Sequence, residues 1–373
     1  VKNQFLSRGV YKPLSLYFHI PFCSKKCPYC HFFVVPNKKE HRDALLEALL
    51  LEWQRLSPKI ENHEITSIYF GGGTPTLFGP EAIHTLLRQI PYPQDTEITI
   101  EANPEDVTER LMQEYARAGI NRVSIGVQSL EDDSLITLGR THSANKALDA
   151  IKSTYSAGIE NISIDLMYEL PDQTSKSFEN TLRKLGELPI SHLSLYNLTI
   201  EPNTAFFKRT LNLPSEEENL KMLEKATKHL EAIGLKRYEI SAFAKPGYQS
   251  RHNTGYWEAR PFFGLGPSAF SYYNGKRFRN VANLHRYFRA LKEGNTPVDF
   301  VENLPYPQNV HELLAVKLRL LEGVDLTSFN LPDETKNKLL RLASEGYLKQ
   351  EKDHCKLTEK GLLFYDTVAS EII

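Results

Sequence analysis

The chain has 373 residues, enough for one large core plus an appendage. Hydrophobic residues make up 41% and charged residues 24%, which excludes collagen-like, low-complexity and disordered classes. Its 45 basic residues meet 46 acidic ones, so no general positive field grips nucleic acid or an anionic membrane, and four cysteines are too few for a disulfide framework.

In chain order, the first fifteen residues carry Lys2, Arg8 and Lys12 among short apolar stretches without the apolar core of a secretory leader. No long apolar run follows, so a cytoplasmic soluble protein is expected. Stretches rich in Val, Ile, Tyr and Phe predict strands at 14–20, 65–70, 97–101, 122–127, 161–166 and 192–197. Helices are predicted between them at 39–56, 80–89, 108–118, 143–157 and 176–188. Gly119, Gly158 and Gly234 follow helix ends and precede strands, which reads as repeated helix-to-strand turns. Six such units fall two short of a closed barrel. The expected fold is therefore α/β, a partial (β/α)6 TIM-like barrel with its working residues at the carboxyl ends of the strands.

Past residue 200 the texture changes. Residues 215–233 read as a charged amphipathic helix with a solvated face, 237–241 as a strand, and 245–283 as a loop-rich stretch of Gly, aromatic and Asn residues. Helices at 311–321 and 332–345, a hairpin at 346–350 and 355–358, and a last helix at 359–370 predict a smaller C-terminal α/β, winged-helix-like domain. It is not clearly basic, which favours a structural or partner-docking role over DNA binding. The expected division is a barrel at 1–210, a linking region packed on it at 211–305, and the C-terminal domain at 306–373.

Chemistry concentrates after the first strand. His19-Ile20-Pro21-Phe22-Cys23-Ser24-Lys25-Lys26-Cys27-Pro28-Tyr29-Cys30 spaces three thiols as C-x3-C-x2-C on one proline-stiffened loop. Two metal chemistries compete for them. Structural zinc needs a fourth ligand from His19, His31 or the distant Cys355. A 4Fe-4S cubane held by three cysteines leaves one iron open. Gly71-Gly72-Gly73-Thr74-Pro75 follows the second strand, where bare backbone can approach a ligand and offer N–H groups. Ile100-Glu101-Ala102-Asn103-Pro104, Gly126-Val127-Gln128-Ser129, Leu138-Gly139-Arg140 and Ile164-Asp165-Leu166 each lie at a strand end or just beyond it.

This ordered set resembles the radical S-adenosylmethionine (SAM) superfamily. With Leu16-Tyr17-Phe18-His19-Ile20-Pro21, it is similar to the coproporphyrinogen III oxidase-like branch over essentially the whole chain. The resemblance implies a 4Fe-4S cluster on Cys23, Cys27 and Cys30, with SAM chelating the open iron. It implies SAM contacts from Tyr17, Gly73, Thr74, Glu101, Gln128, Arg140, Asp165 and Thr199. The chemistry of these side chains fits, because carboxylates accept from ribose hydroxyls or an ammonium and Arg140 suits a carboxylate.

The branch contains two kinds of protein. The oxygen-independent coproporphyrinogen III dehydrogenase resembles C-x3-C-x2-C-x-C with an N-terminal extension; here Phe32 stands where that fourth cysteine would be, and the first strand begins near residue 14. The other kind is a haem chaperone with three cluster cysteines and a downstream H-N-x-x-Y-W, matched by His252-Asn253-Thr254-Gly255-Tyr256-Trp257. An imidazole is a common haem ligand and the two aromatics offer flat apolar surface, so His252 is expected on the haem iron. This member is the expected reading, with the dehydrogenase as the alternative. Partners implied by resemblance are haem, haem-accepting proteins such as membrane respiratory enzymes, an electron donor for the cluster and a second copy in a homodimer, but no nucleic acid. Membrane association during transfer is implied as well. Gly264-Leu265-Gly266-Pro267-Ser268-Ala269 mimics a dinucleotide fingerprint, but Pro267 rules out the required helix register, leaving a backbone packing role near the cofactor. His31 and Glu169 depart from the branch, which usually has Asp and Gly there.

Overall fold

Strands alternate with helices from the first described residues. The structure is a computed structural model that describes residues 11–373. The reading of residues 1–10 as free of a secretory leader lies outside that range. β1 (Lys12–Ile20) buries Leu14, Leu16, Phe18 and Ile20 completely. Two-residue strands β2 (Phe22–Cys23) and β3 (Val35–Pro36) pair in parallel within the loop that follows, before α1 (Lys39–Leu56). The succession continues through β4 (His63–Gly72), α2 (Pro80–Leu87), β5 (Glu97–Ala102), α3 (Glu109–Ala118) and β6 (Arg122–Gln128). After β6 come α4 (Asp132–Thr137), α5 (Ala144–Ser156), β7 (Asn161–Tyr168), α6 (Ser175–Leu185) and β8 (His192–Asn197). β1, β4, β5, β6, β7 and β8 are neighbours in that order and all parallel, the expected partial barrel. Helix starts follow from local chemistry: the side chains of Thr108 and Ser143 accept from Leu111 N and Lys146 N, satisfying first-turn donors.

Several later expectations are corrected. After α7 (Glu216–Ala232), residues 237–241 do not form one strand. Antiparallel β9 (Lys236–Arg237) and β10 (Ala242–Ala244) flank a turn in which the Glu239 carboxylate accepts from Ser241 N and Oγ, at 2.9 and 3.0 Å. The stretch 245–283 is largely ordered into α8 (Arg251–Trp257), β11 (Phe262–Leu265), β12 (Phe270–Tyr273) and β13 (Lys276–Asn280). β11 lies parallel to β1 on the side away from β4, adding a seventh parallel strand. β12, β13 and β14 (Val298–Asn303) extend the sheet antiparallel to its edge, with α9 (Leu284–Lys292) packed on α1. Phe263, Leu265, Tyr287 and Leu291 share one core with Leu14 and Phe18, so much of 211–305 is barrel.

The remaining elements are α10 (Gln308–Lys317), β15 (Val324–Asp325), α11 (Asp333–Ser344), β16 (Leu348–Glu351), β17 (His354–Leu357), α12 (Glu359–Leu363) and α13 (Tyr365–Ile372). The expected single last helix is thus two, broken at Phe364. A three-stranded sheet, β15-β17-β16, packs with these helices around a separate core that includes Leu318, Leu339, Leu348 and the fully buried Cys355. This second core is clasped to the barrel by Arg319. Its guanidinium lies 4.3 Å from the Trp257 ring centre and 5.2 Å from that of Tyr365, and Nη2 is 3.3 Å from the buried Glu239 carboxylate.

Arg319→Ala removes the cation from both rings and leaves Oε2 of the buried Glu239 carboxylate unpaired, so it should cost about 2–3 kcal/mol. Urea unfolding followed by tryptophan fluorescence checks this; a loss below about 0.5 kcal/mol, the scale of an ordinary surface change, would contradict the clasp.

Candidate functional site

The carboxyl ends of the parallel strands open into a cavity of about 410 Å³ lined by the cysteine loop and the strand-end motifs. The loop is fastened to the glycine turn by backbone. Gly73 N donates to Ile20 O at 2.9 Å and Thr74 N to Phe22 O at 2.6 Å. Neither glycine at this seam tolerates a side chain. A Cβ on Gly72, which has φ 118°, would lie 2.6 Å from the His19 ring, and one on Gly73 would lie 2.6 Å from Phe22 O.

Cys23, Cys27 and Cys30 are half-buried and all line the cavity. Cys23 Sγ is 3.6 Å from Thr74 Oγ1 and Cys27 Sγ 3.7 Å from Arg140 Nη1, while Cys30 N donates to Cys27 O at 3.1 Å. Burial, reinforced by the neighbouring thiols, holds Cys23 and Cys30 above the ordinary thiol range. Among the described residues no three His, Cys, Asp or Glu side chains are drawn together around one ion. A cubane asks for less convergence, since each thiolate binds a different iron.

Behind the loop runs a polar network. Asn103 Nδ2 donates to Thr74 Oγ1 at 2.9 Å, and Arg140 Nη2 donates to Asn103 Oδ1 at 2.7 Å and to Gly126 O at 3.0 Å. Arg140 Nε is buried without a partner among the described residues, a free donor suited to a ligand carboxylate. Glu101 is held from both sides, accepting from Tyr69 OH at 2.9 Å and Gly72 N at 3.0 Å. Burial, and then repulsion from Asp165, pushes Glu101 up to about 7. Burial likewise lifts Asp165 to about 6. A cationic ligand above this pair would relieve both.

Gly73, Thr74, Glu101, Gln128, Arg140, Asp165 and Thr199 all line the cavity. Tyr17 does not. Its hydroxyl is bonded to His19 Nδ1 at 3.0 Å and its ring stacks on Tyr69, so it supports the glycine turn from below. Asn103, Ser124 and Tyr196 also line the cavity but were not singled out. Asn103 stood inside a quoted motif, whereas Tyr196 carried no signal beyond its strand end.

His252 lies deeper still. It is 1% exposed inside the barrel, with Nδ1 bonded to Ser67 Oγ at 3.0 Å and Nε2 to Tyr256 OH at 2.8 Å. Its ring stacks on Tyr69 at 4.8 Å, and burial lowers its pKa to about 3. Both nitrogens are hydrogen-bonded inside the barrel, and His252 does not line the cavity. Trp257, in turn, is covered by Arg319. The glycine-rich 264–269 segment packs as backbone but does not line the cavity: Gly266 N donates to Glu52 Oε2 at 2.9 Å and Tyr287 OH at 3.1 Å.

Comparison with known proteins sets this site in context. Residues 17–185 match the Radical SAM superfamily and residues 304–364 the HemN C-terminal domain. The chain is 36% identical to heme chaperone HemW of Escherichia coli, over 95% of this chain and 97% of that protein. It is 34% identical to heme chaperone HemW of Lactococcus lactis, over 94% of each chain. It belongs to the HemW family. The solved structure of coproporphyrinogen III oxidase (HemN) from Escherichia coli shares the fold, with TM-score 0.85 and 24% identity over 97% of this chain and 90% of that one. This chain is 33% identical to heme chaperone HemW of Bacillus subtilis, over 95% of this chain and 97% of that protein.

The raised Glu101 and Asp165 give a pH signature with a definite sign. Their folded pKa values exceed those of the unfolded chain, so the stability they contribute is present at low pH and is lost as pH rises through about 6 to 7. In ligand-free protein, Glu101→Gln should therefore gain stability relative to wild type at pH 8, on the order of 1–3 kcal/mol, and little at pH 5. Urea midpoints at the two pH values check this. An equal shift at both would contradict it.

Proposed function

We propose that this protein is a haem carrier that delivers haem to acceptor proteins, with a 4Fe-4S cluster on Cys23, Cys27 and Cys30 and SAM on the open iron. The observation that carries this reading is 33–36% identity, over 94–95% of the chain, to heme chaperones from several bacteria, joined to a loop that presents three thiols and no fourth to one cavity. The residues present suit the cofactors. The orphaned Arg140 Nε suits the carboxylate of SAM, and the Glu101 and Asp165 pair suits its ammonium and ribose hydroxyls. Gly73 and Thr74 set bare backbone against the ligand, and Gln128 and Thr199 line the wall. When bound, the cluster supplies one-electron chemistry. The protein's own part is to fix the thiols, wall the cavity and hold two carboxyls ready to ionise beneath a cation.

The dehydrogenase alternative is weakened by Phe32, which occupies the position of the expected fourth cysteine and is 53% exposed. The reading extends to an electron donor for the cluster, a homodimer and respiratory acceptors at the membrane. It places the protein in the cytoplasm with peripheral membrane contact during transfer. No helix among the described residues is long and apolar enough to cross a membrane.

The test uses protein reconstituted anaerobically with iron and sulfide and loaded with haem. It should pass haem to apomyoglobin, read by the acceptor's Soret band, and leave coproporphyrinogen III unchanged in the presence of SAM and dithionite. Protein that ignores haem but oxidises coproporphyrinogen would overturn the reading.

A further inference from the structure

We infer that Asn103 is a positioning residue for the cluster: it fixes the direction of two hydrogen bonds onto the sulfurs of Cys23 and Cys27, and so sets the potential at which the cluster takes up an electron. This rests on the cluster reading above.

Asn103 follows β5 directly, and its amide lies between the two donors that reach those sulfurs. Pro104 comes next and keeps Asn103 extended, at φ −93° and ψ 143°, and Asn103 lines the cavity. The polarity of the amide is forced. A guanidinium can only donate, so the atom that Arg140 Nη2 meets at 2.7 Å is the carbonyl Oδ1, and Nδ2 is left to donate to Thr74 Oγ1 at 2.9 Å. A hydroxyl has one proton to give. With Thr74 Oγ1 accepting from Asn103, that proton is aimed at Cys23 Sγ, 3.6 Å away. On the other side, Nη2 donates to both Asn103 Oδ1 and Gly126 O, which turns Nη1 onto Cys27 Sγ at 3.7 Å.

A donor pointed at a cluster sulfur stabilises the reduced cluster more than the oxidised one, because the reduced form carries one more negative charge, and the potential rises. The three sulfurs differ in how far they depend on Asn103. The Tyr29 hydroxyl also meets Cys27 and Arg140, and Cys30 draws on the backbone N–H of Phe32. Cys23 is therefore the sulfur whose hydrogen bond Asn103 controls most fully. An aspartate in its place would accept at both ends. It would keep Arg140 but pull the Thr74 proton away from Cys23.

The experiment reconstitutes wild type, Thr74→Ser, Thr74→Val, Asn103→Asp and the double variant Thr74→Val with Asn103→Asp with iron and sulfide. Each is titrated anaerobically with dithionite and viologen mediators; the reduced cluster is read by EPR, and iron and sulfide are measured alongside. Thr74→Val deletes the hydroxyl at nearly constant shape and should lower the potential by about 60 mV, a tenfold change in the reduced-to-oxidised ratio, whereas Thr74→Ser should match wild type. Asn103→Asp should lower it further than Thr74→Val does, because it turns the Thr74 proton away and adds a negative charge. In the Thr74→Val background only the charge remains, so the same substitution should lower the potential less than half as far. If Asn103→Asp takes up less iron, Asn103→Leu replaces it and must show a smaller fall in the Thr74→Val background as well. Changes below about twofold in both single variants, or equal falls in the two backgrounds, would overturn the inference. Wild type that binds no iron-sulfur cluster would instead overturn the reading on which it rests.

Discussion

Two backbone hydrogen bonds, from Gly73 N to Ile20 O and from Thr74 N to Phe22 O, hold the site together. They join the end of β4 to the loop leaving β1, so the cysteines inherit the position of the sheet rather than the freedom of a surface loop. The seam works only because the strand ends in glycine. His19 and the Phe22 carbonyl already occupy the space that Cβ atoms on Gly72 and Gly73 would take. Thr74 then reaches Cys23 on one side and Asn103 on the other, and Asn103 hands the constraint on to Arg140 and Cys27. Loop, glycine turn and the ends of β5 and β6 thus form one hydrogen-bonded unit, with a positional precision that an isolated C-x3-C-x2-C loop would lack.

Electrostatically, the cavity is prepared for positive charge. Glu101 and Asp165 sit at its base at a desolvation cost that nothing in the chain fully offsets. Such a cost persists where function uses it, and the orphaned Arg140 Nε nearby is a second group left waiting. Together they describe a zwitterionic ligand, anionic toward Arg140 and cationic toward the buried acids. The aromatic interior below, Tyr17, Tyr69 and His252, has its polar atoms satisfied internally and serves as the floor.

The strands and helices of the parallel half were legible because their signals are strong and local. α1 spans 39–56 as its periodicity indicates, and the six strands fall where β-branched runs predict them. The second half was harder to read. β11 is a four-residue strand containing Gly264, and α8 is a seven-residue helix containing Asn253 and Gly255; both owe their form to tertiary partners rather than propensity. Glu97 illustrates this: its buried carboxylate accepts from Arg251 N and His252 N across 154 and 155 residues, fixing the start of α8 from a distant strand. In the site, the residues contributed by motifs at strand ends converge on the cavity. Tyr17 and His252 do not line the cavity, for a single reason. Sequence shows that a side chain carries the right chemistry but not which side of the sheet's interior it faces, and both face the floor.

Haem delivery as proposed requires this loop to hold a cluster with one iron open to the cavity. Mössbauer spectroscopy of protein reconstituted with iron-57, with and without SAM, tests that most directly. One iron of the four should change its isomer shift and quadrupole splitting when SAM is added, while the other three stay unchanged. A spectrum that ignores SAM, or a preparation that binds zinc and no iron, would contradict it.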